Sequence, residues 1–425
     1  MSIRSFWKTD NLLNSLVIAS YILFVLFSIF DGAIRYFFNE FGLASAIYIP
    51  KMLFIALIFF CLFLGKELEK ILPIIIVFSI AFIVGILNGQ KHGEILLSIS
   101  IFLPAIFGFV FMRVLKSYWD RLYIFHALCL FFALTGVYVN YYYSFPWYGY
   151  RYNIGGIEVS AATAWQAGAF NRLSGFSRAS YDVAIQMVAL SAIVIAGNVN
   201  IFLRGAVILL AFVAIVLTTS KGVLISLFVI TLLSLMLSLK LIKSLAFRSI
   251  SFSFLSVLSI IVVFLPLFSI GLSNRVLDLK STKTDNIFVS AFTSYSSLGD
   301  RMANMWPATV NRIEESNAYI AGLGLGSVGT PRGVYRGDQL SAVDNAPLYL
   351  LSIFGGLGLI IFATIPFVSL VMNTSMFFDR SMLFIAAISI TYGMFSNIFE
   401  VSILPMLLSL SISYVSEKIS HRRVS

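Results

Sequence analysis

Long apolar stretches recur along this chain, and they constrain its fold more than any other feature of the sequence. A helix needs about 20 mostly apolar residues to cross the hydrocarbon core of a bilayer. Stretches of this length, or close to it, lie at residues 11–30, 42–65, 71–88, 95–115, 122–140, 180–197, 201–219, 222–239, 249–270, 346–371, 381–397 and 401–416. Only Asn397–Glu400 separates the last two, so eleven helices and a re-entrant segment also fit the pattern. The sequence therefore predicts an all-α polytopic integral membrane protein of about twelve transmembrane helices, with residues 1–425 as a single membrane domain.

The composition excludes a water-soluble globule. Hydrophobic residues make up 59% of the chain and charged residues only 11%, whereas soluble domains carry about 25% charged residues. The net charge of +10 comes from basic residues scattered over many short loops, without the basic stripe and interleaved aromatics of a nucleic-acid surface. We therefore predict no nucleic-acid partner. Cys61 and Cys129 both lie in apolar stretches and indicate no disulfide framework.

Basic residues orient the predicted helices, because short cytoplasmic loops are enriched in lysine and arginine. With the N-terminus inside, fifteen basic residues are cytoplasmic, and only Arg35, Lys51, Lys91 and Lys221 lie in short external loops. The fifteen are Arg4, Lys8, Lys66, Lys70, Arg113, Lys116, Arg121, Arg204, Lys240, Lys243, Arg248, Arg380, Lys418, Arg422 and Arg423. The basic segment Met1–Asp10 leads into a first helix that we interpret as retained, since no small-residue cleavage site follows it. Both termini are then cytoplasmic.

Two connections are much longer than the others, and both are external in this orientation. They are residues 141–179 and residues 271–345, and loops of such length usually carry function. The first loop opens with an aromatic stretch, Tyr138–Tyr152, which fits either an interfacial aromatic belt or a platform on which sugar rings stack. It ends with Arg172 and Arg178, whose guanidinium groups suit either a phosphate-bearing ligand or the phosphates of surrounding lipid.

Further charged residues stand at the external ends of predicted helices. Asp182 fits an N-cap, a first-turn acid or a partner of Arg178. Lys221, in the sequence Thr-Thr-Ser-Lys-Gly, fits either phosphate contact or snorkelling toward the interface. In the second loop, the Ser-x-x-Asp pattern at Ser297 resembles a helix start, which places Arg301 in the first turns of a short surface helix.

The end of the second loop combines glycines with charged residues. The segment Gly322–Gly329 matches the dinucleotide fingerprint in letters alone, because no βαβ unit surrounds it; we interpret it as a flexible loop that admits close backbone approach. Arg332 and Arg336 follow it. Asp344, at the mouth of the next helix, is either an N-cap or a general base for a sugar hydroxyl. The sequence contains only three histidines and predicts no metal site.

In this order, these segments resemble the O-antigen polymerase and O-antigen ligase superfamily of bacterial surface-polysaccharide assembly. The likeness rests on Arg172-Leu-Ser-Gly-Phe before a helix, Thr-Ser-Lys221-Gly at a helix junction, Arg301 with Trp306 in a large loop, and Gly322-Leu-Gly-Leu-Gly followed by Asp344-Asn345. Each segment is short, so their order along most of the chain carries the resemblance. The family often has arginine where Lys221 stands, and the ligase branch places a histidine where this chain has Asp344. The second departure favours polymerase over ligase.

The resemblance implies a membrane glycosyltransferase of GT-C-like architecture in the bacterial inner membrane, with both long loops periplasmic. Its expected function is that of an O-antigen polymerase in lipopolysaccharide biosynthesis, which joins undecaprenyl-pyrophosphate-linked repeat units without a metal or other cofactor. Asp344 would be the base, and Asn345 would orient that base or the sugar. The residues expected to bind pyrophosphate and glycan are Arg172, Arg178, Lys221, Arg301, Arg332 and Arg336. Expected partners are the lipid-linked glycans, membrane lipid and a chain-length-regulating protein.

Two other functions fit parts of this pattern. An O-antigen ligase, which transfers finished glycan to lipid A–core, is the nearest alternative. A lipid-linked oligosaccharide flippase or transporter, from a different class, would also have about twelve helices. Such transporters more often show two similar halves and charges buried within helices, whereas this sequence shows no clear internal repeat and carries its informative charges in external loops.

Overall fold

In the computed structural model, the apolar stretches fold into helices. The structure describes residues 3–154, 157–167, 170–238, 244–281, 297–337 and 342–424. Within them, seven helices are long and apolar enough to cross a membrane by length and composition: Asn11–Ile29, Ala44–Phe63, Leu68–Leu87, His92–Val110, Tyr123–Tyr142, Lys221–Ser238 and Leu245–Ile270. Shorter apolar helices occupy Ser180–Ala196, Ile201–Leu217 and Gly356–Val371. The protein is therefore an all-α multi-pass membrane protein, while the number of twelve helices stays a prediction.

Seven helices precede the first long loop. Their bounds are α1 Ile3–Ile29, α2 Asp31–Glu40, α3 Ile49–Phe63, α4 Leu68–Leu87, α5 His92–Val110, α6 Met112–Tyr118 and α7 Tyr123–Tyr142. A single 3-10 turn, Ala44–Tyr48, leads into α3, and Pro50 stands in the first turn of that helix. Proline is tolerated there because the first backbone N–H groups of a helix have no intrahelical acceptor.

Twelve helices follow that loop within the described residues. Their bounds are α8 Ser180–Ala196, α9 Ile201–Leu217, α10 Lys221–Ser238, α11 Ser244–Ser281, α12 Ser297–Asp300, α13 Trp306–Glu315, α14 Thr330–Arg336, α15 Ala346–Phe354, α16 Gly356–Ala363, α17 Val368–Val371, α18 Phe377–Gly393 and α19 Leu404–Val424. Nearly every residue of α8 and α18 is buried. Helices that are apolar on all sides belong inside a bundle, so these two form its centre.

The first long loop contains short strands that the sequence reading did not predict. Two antiparallel hairpins form, one from β1 Arg151–Ile154 with β2 Ile157–Ser160, and one from β3 Gln166–Ala167 with β4 Phe170–Asn171. The aromatic stretch before them builds a small core of its own, because the rings of Phe145 and Trp147 stack with centroids 4.4 Å apart. Much of this stretch is therefore neither a lipid-facing belt nor an open sugar platform.

The apolar stretch 346–371 is broken, whereas the sequence predicts one continuous helix. Gly355 lies between α15 and α16 with φ +62°, a left-handed conformation that glycine adopts at no steric cost. The segment around residues 320–323 packs against this break. The backbone N–H of Gly356 donates to the carbonyl of Ile320 at 3.2 Å. The N–H of Leu323 likewise donates to the carbonyl of Ser352 at 2.6 Å.

The glycine segment 322–329 is packed, so the expectation of a flexible loop is wrong. Every residue of the segment is buried, and the N–H of Leu325 donates to the carbonyl of Ala81 in α4 at 3.0 Å. A Cβ atom added at Gly324 would overlap the backbone of Gly85. The other half of the expectation is confirmed, because these glycines do allow a close backbone approach.

Contacts between the described loops sort them into two groups. On the predicted external side, hydrogen bonds join Asn39 to Tyr150, Arg172 to Thr218, Thr330 to Glu400, and Arg336 to Glu94. On the predicted cytoplasmic side, contacts join Arg113 to Glu69 and Glu417, and Arg380 to Ala196. The candidate site residues therefore share one end of the helix bundle.

Candidate active site

The two ends of the second long loop meet in an ion pair between Arg301 and Asp344. Arg301 begins a π-helical turn directly after α12, so the predicted helix start at Ser297 is confirmed. Its Nε and Nη2 atoms each lie 2.8 Å from Oδ2 of Asp344. The side chains are 17% and 30% exposed, which leaves the pair open to a ligand from one side.

Asn345 caps α15, so the N-cap interpretation of Asp344 is wrong. The Oδ1 atom of Asn345 accepts a hydrogen bond from the N–H of Leu348 at 3.0 Å, and its Nδ2 donates to the carbonyl of Val262 in α11 at 3.1 Å. The side chain is fully buried. Asn345 therefore anchors the start of α15 and, through the backbone, the position of Asp344.

Arg172 lies close to this ion pair. Its Nε atom is 3.4 Å from the carbonyl oxygen of Thr218, the residue that ends α9. Burial lowers the pKa of Arg172 below its ordinary value, and the positive charge of Arg301 lowers it further. Two guanidinium groups within electrostatic reach of each other repel, and an anion placed between them would relieve that repulsion.

A cavity of about 470 Å³ opens beside Arg172. Tyr148, Trp165 and Asn171 line it, and the guanidinium carbon of Arg172 is 5.7 Å from the centre of the Trp165 ring. Trp165 is 42% exposed, unlike most of the aromatic stretch before it. Sequence reasoning missed Trp165, although a lone tryptophan in a loop seven residues before the key arginine was a usable signal.

Lys221 begins α10, on the turn whose carbonyl Arg172 contacts. The turn is tight, because Thr219 has φ +58°, a left-handed conformation that is rare for a β-branched residue. Lys221 is exposed. The helix junction thus places a third cation three residues along the chain from the Thr218 carbonyl.

A tyrosine and a glutamate from the C-terminal part of the chain, Tyr392 and Glu400, also lie near the Arg301–Asp344 pair. Tyr392, near the end of α18, lies within electrostatic reach of both Arg301 and Asp344. Glu400 accepts hydrogen bonds from the N–H and the hydroxyl of Thr330, at 2.9 and 2.6 Å. Burial raises the pKa of Glu400, the bonds from Thr330 oppose this, and the negative charge of Asp344 raises it further. Tyr392 was not predicted, since an isolated tyrosine in an apolar helix carries no distinguishing signal.

Arg332 and Arg336 are held elsewhere by their contacts. The guanidinium of Arg336 binds the buried carboxylate of Glu94 at 2.6 and 3.0 Å, and the carbonyl of Gly89 at 2.8 Å. The charge of Arg332 also acts on Glu94. Removing one member of a buried ion pair is strongly destabilising, so Arg336 fastens α14 to the start of α5.

Of the six predicted phosphate- and glycan-binding residues, Arg172 lies within electrostatic reach of Arg301, and Lys221 begins the helix after the turn that Arg172 contacts. Arg178 lines a neighbouring cavity, and Arg332 and Arg336 surround Glu94. Across the described parts of the chain, no group of three or more histidine, cysteine, aspartate or glutamate residues is placed to hold a metal ion. Metal independence stays a prediction.

A family model matches a part of the chain that contains several of the candidate site residues. Residues 206–363 match the model of the Wzy_C family, described as O-antigen ligase. This match confirms the resemblance to the O-antigen polymerase and ligase superfamily. The matched region spans less than half of the chain and includes Lys221, Arg301 and Asp344, but not Arg172. No curated protein matches the chain. The superfamily supports a glycosyltransferase function of the polymerase or ligase type.

Proposed function

We propose that this protein is an O-antigen polymerase. It joins undecaprenyl-pyrophosphate-linked repeat units at the periplasmic face of the bacterial inner membrane, without a metal ion. The observation that carries the proposal is the Arg301–Asp344 pair at the mouth of α15, with the guanidinium of Arg172 within electrostatic reach. Both members of the pair lie in the region that matches the superfamily.

The chemistry requires a base for the acceptor hydroxyl and a cationic site for the leaving group. The hydroxyl oxygen attacks the anomeric carbon of the donor, and the bond from that carbon to the pyrophosphate oxygen breaks. The pyrophosphate leaves with the electron pair, and Arg172, Lys221 and Arg301 neutralise its charge. The hydroxyl proton passes to Asp344. Attack from the face opposite the leaving group inverts the anomeric centre.

The ion pair couples these two tasks. Arg301 binds Oδ2 of Asp344, and within the described residues Oδ1 of Asp344 has no hydrogen-bond partner. A donor pyrophosphate competes with Asp344 for the guanidinium of Arg301. Its binding therefore frees Oδ2 of Asp344 to accept a hydrogen bond from the acceptor hydroxyl when the donor is in place.

An O-antigen ligase is the second candidate, because the matching family model carries that description. The two functions differ in the acceptor, which is lipid A–core for the ligase and a lipid-linked repeat unit for the polymerase. The aspartate at position 344, where the ligase branch has histidine, favours the polymerase.

The decisive experiment reconstitutes purified protein with lipid-linked single repeat units in excess chelator and resolves the products on a gel. We expect a ladder of lengthening chains. Asp344→Asn should lower turnover about 10²- to 10⁴-fold because it removes the base, and Arg301→Ala about 10²- to 10³-fold because it removes charge stabilisation. Arg151→Ala is the matched control, since Arg151 is 68% exposed and pairs only loosely with Glu158 at 3.5 Å.

Exchanging the two charges shows whether Arg301 and Asp344 act on the substrate or only form a structural ion pair. The double variant Arg301→Asp, Asp344→Arg keeps an ion pair and should stay inactive, because neither charge is then in its working position. Activity in the swapped protein would contradict the assigned roles. If folded wild-type protein formed no ladder, product on lipid A–core would establish the ligase, and translocation without transfer would establish a flippase.

A further inference from the structure

A second cavity, of about 320 Å³, lies at the same end of the bundle. Its charged lining comes from α2, α3, the start of α8 with the segment that leads into it, and the turn before α19: Asp31, Arg35, Lys51, Arg178, Asp182 and Glu400. Its apolar lining comes from the helices on the membrane side, with Phe24 and Phe27 of α1 and with Leu97 and Ile101 of α5. The cavity is thus polar at one end and apolar at the other.

Three acidic and three basic side chains line this cavity, and within the described residues only one ion pair forms among them. Asp31 and Arg35 form an ion pair at 2.8 Å. Within the described residues, neither Lys51 nor Arg178 has a carboxylate within ion-pair distance, and the buried Nε of Arg178 makes no hydrogen bond. Two unpaired cations in one cavity favour a phosphate.

Asp182 adds an acceptor to the same wall. It is only 9% exposed, and its Oδ1 atom is buried without a hydrogen-bond partner in the described structure. An unmet buried carboxylate oxygen is costly unless something donates to it. A sugar hydroxyl is such a donor, and it would lie beside a phosphate only in a molecule that carries both groups.

We propose that this cavity binds the second substrate, a lipid phosphate that carries a sugar. The phosphate lies between Lys51 and Arg178, a sugar hydroxyl donates to Asp182, and the lipid chain follows the apolar wall of α1 and α5. This inference rests on the proposed function, in which the Arg172–Arg301 site holds the donor. It assigns the acceptor to a separate cavity.

Glu400 connects the two sites. It lines the second cavity and lies within electrostatic reach of Asp344, the proposed base. A sugar that extends from the phosphate past Glu400 would therefore bring a hydroxyl toward Asp344. The arrangement explains why two clusters of cations occur at one end of the bundle.

The test counts lipids bound to the purified protein by native mass spectrometry, with undecaprenyl-pyrophosphate-linked repeat unit as the probe. Wild-type protein should bind two molecules. The double variant Lys51→Gln, Arg178→Ala should bind one, and Arg301→Ala should remove the other. Arg178→Lys should retain the second molecule, because it keeps a cation. Arg151→Ala should bind two, and thermal unfolding identifies any variant that fails to fold.

Other probes separate the sources of the phosphate. Undecaprenyl phosphate without a sugar should bind the cavity more weakly than the lipid-linked repeat unit, and Asp182→Val should erase that difference because it removes the acceptor oxygen. Equal occupancy by phosphatidylglycerol or by inorganic phosphate would overturn the proposal. In turnover assays, the double variant should raise the acceptor KM about 10- to 100-fold and leave the donor KM unchanged.

The outcomes distinguish this inference from the proposed function. Two bound lipids without a product ladder would keep the second site and remove the polymerase. A ladder with one bound lipid, unaffected by the Lys51 and Arg178 changes, would keep the polymerase and remove the second site.

Discussion

Asp344 and Asn345 are neighbours in sequence with opposite surroundings. Asp344 is partly exposed and meets Arg301, whereas Asn345 turns inward, caps α15 and donates to the carbonyl of Val262 in α11. The first residue is available to a ligand and the second is not. The resemblance implied that Asn345 orients the base or the sugar, and its contacts act on the backbone that carries Asp344.

Replacing Asn345 should therefore affect stability before catalysis. Asn345→Ala removes an N-cap and leaves a buried carbonyl unpaired, and should cost about 1–3 kcal/mol of stability. Asn345→Ser should recover part of this, because serine also caps helices. Thermal unfolding of the purified variants measures both effects. If Asn345→Ala left the unfolding temperature unchanged but abolished turnover, Asn345 would act on the substrate directly.

At the scale of single residues, the sequence identified candidate site residues but could not predict which residues they contact. Arg172, Arg301 and Asp344 could be chosen because guanidinium groups in long external loops suit phosphate and a carboxylate at a helix mouth suits a general base. Their meeting could not be predicted, since Arg301 and Asp344 lie 43 residues apart with much of a loop between them. The same limit applies to Arg336, whose buried partner Glu94 lies 242 residues away.

Helix α15 ends where a second piece of chain enters the bundle. Gly355 stops the helix, and the buried segment 322–329 fills the space between α4 and α15. Apolar length alone predicted most helices to within a few residues. It could not predict this break, because the break depends on the carbonyl of Ile320, which accepts from Gly356, and the N–H of Leu323, which donates to Ser352, and these groups meet only in the folded chain.

The close backbone approach at Gly324 predicts that replacing it with alanine destabilises the protein more than replacing Gly65 does. Gly65→Ala costs only the conformational strain of a positive φ, about 1–2 kcal/mol, since nothing lies within 4 Å of its added Cβ. Gly324→Ala carries the same strain plus an overlap with the backbone of Gly85, and it should lower the unfolding temperature further. Equal shifts for the two variants would contradict the packing of this segment.

The whole molecule has two ends with different contact networks, one built around Arg113 and Arg380 and one around the candidate site. This separation follows the alternation expected from the basic residues, because loops predicted on the same side meet each other. The short strands of the first loop fall outside what such alternation can predict, since they depend on a local aromatic core.

Orientation can be tested with single cysteines. Cys61 and Cys129 are buried, so background labelling should be low. Tyr142→Cys, at an exposed position before the first hairpin, should react with a membrane-impermeant maleimide in intact cells whose outer membrane has been made permeable. Met376→Cys, exposed at the other end, should react only after the inner membrane is opened. The reverse pattern would invert the topology and place the site in the cytoplasm.

The hairpins of the first loop border both cavities, through Gln166 and Asn171 on one side and through Ile154 and Val159 on the other. They contribute none of the cations of the Arg301–Asp344 site apart from Arg172 at their end. Changes in the first hairpin can therefore accumulate without displacing Arg172, whereas changes in the second hairpin would move it, because the N–H of Arg172 donates to the carbonyl of Trp165. The first hairpin is thus a region that can vary between relatives while the reactive groups stay in place.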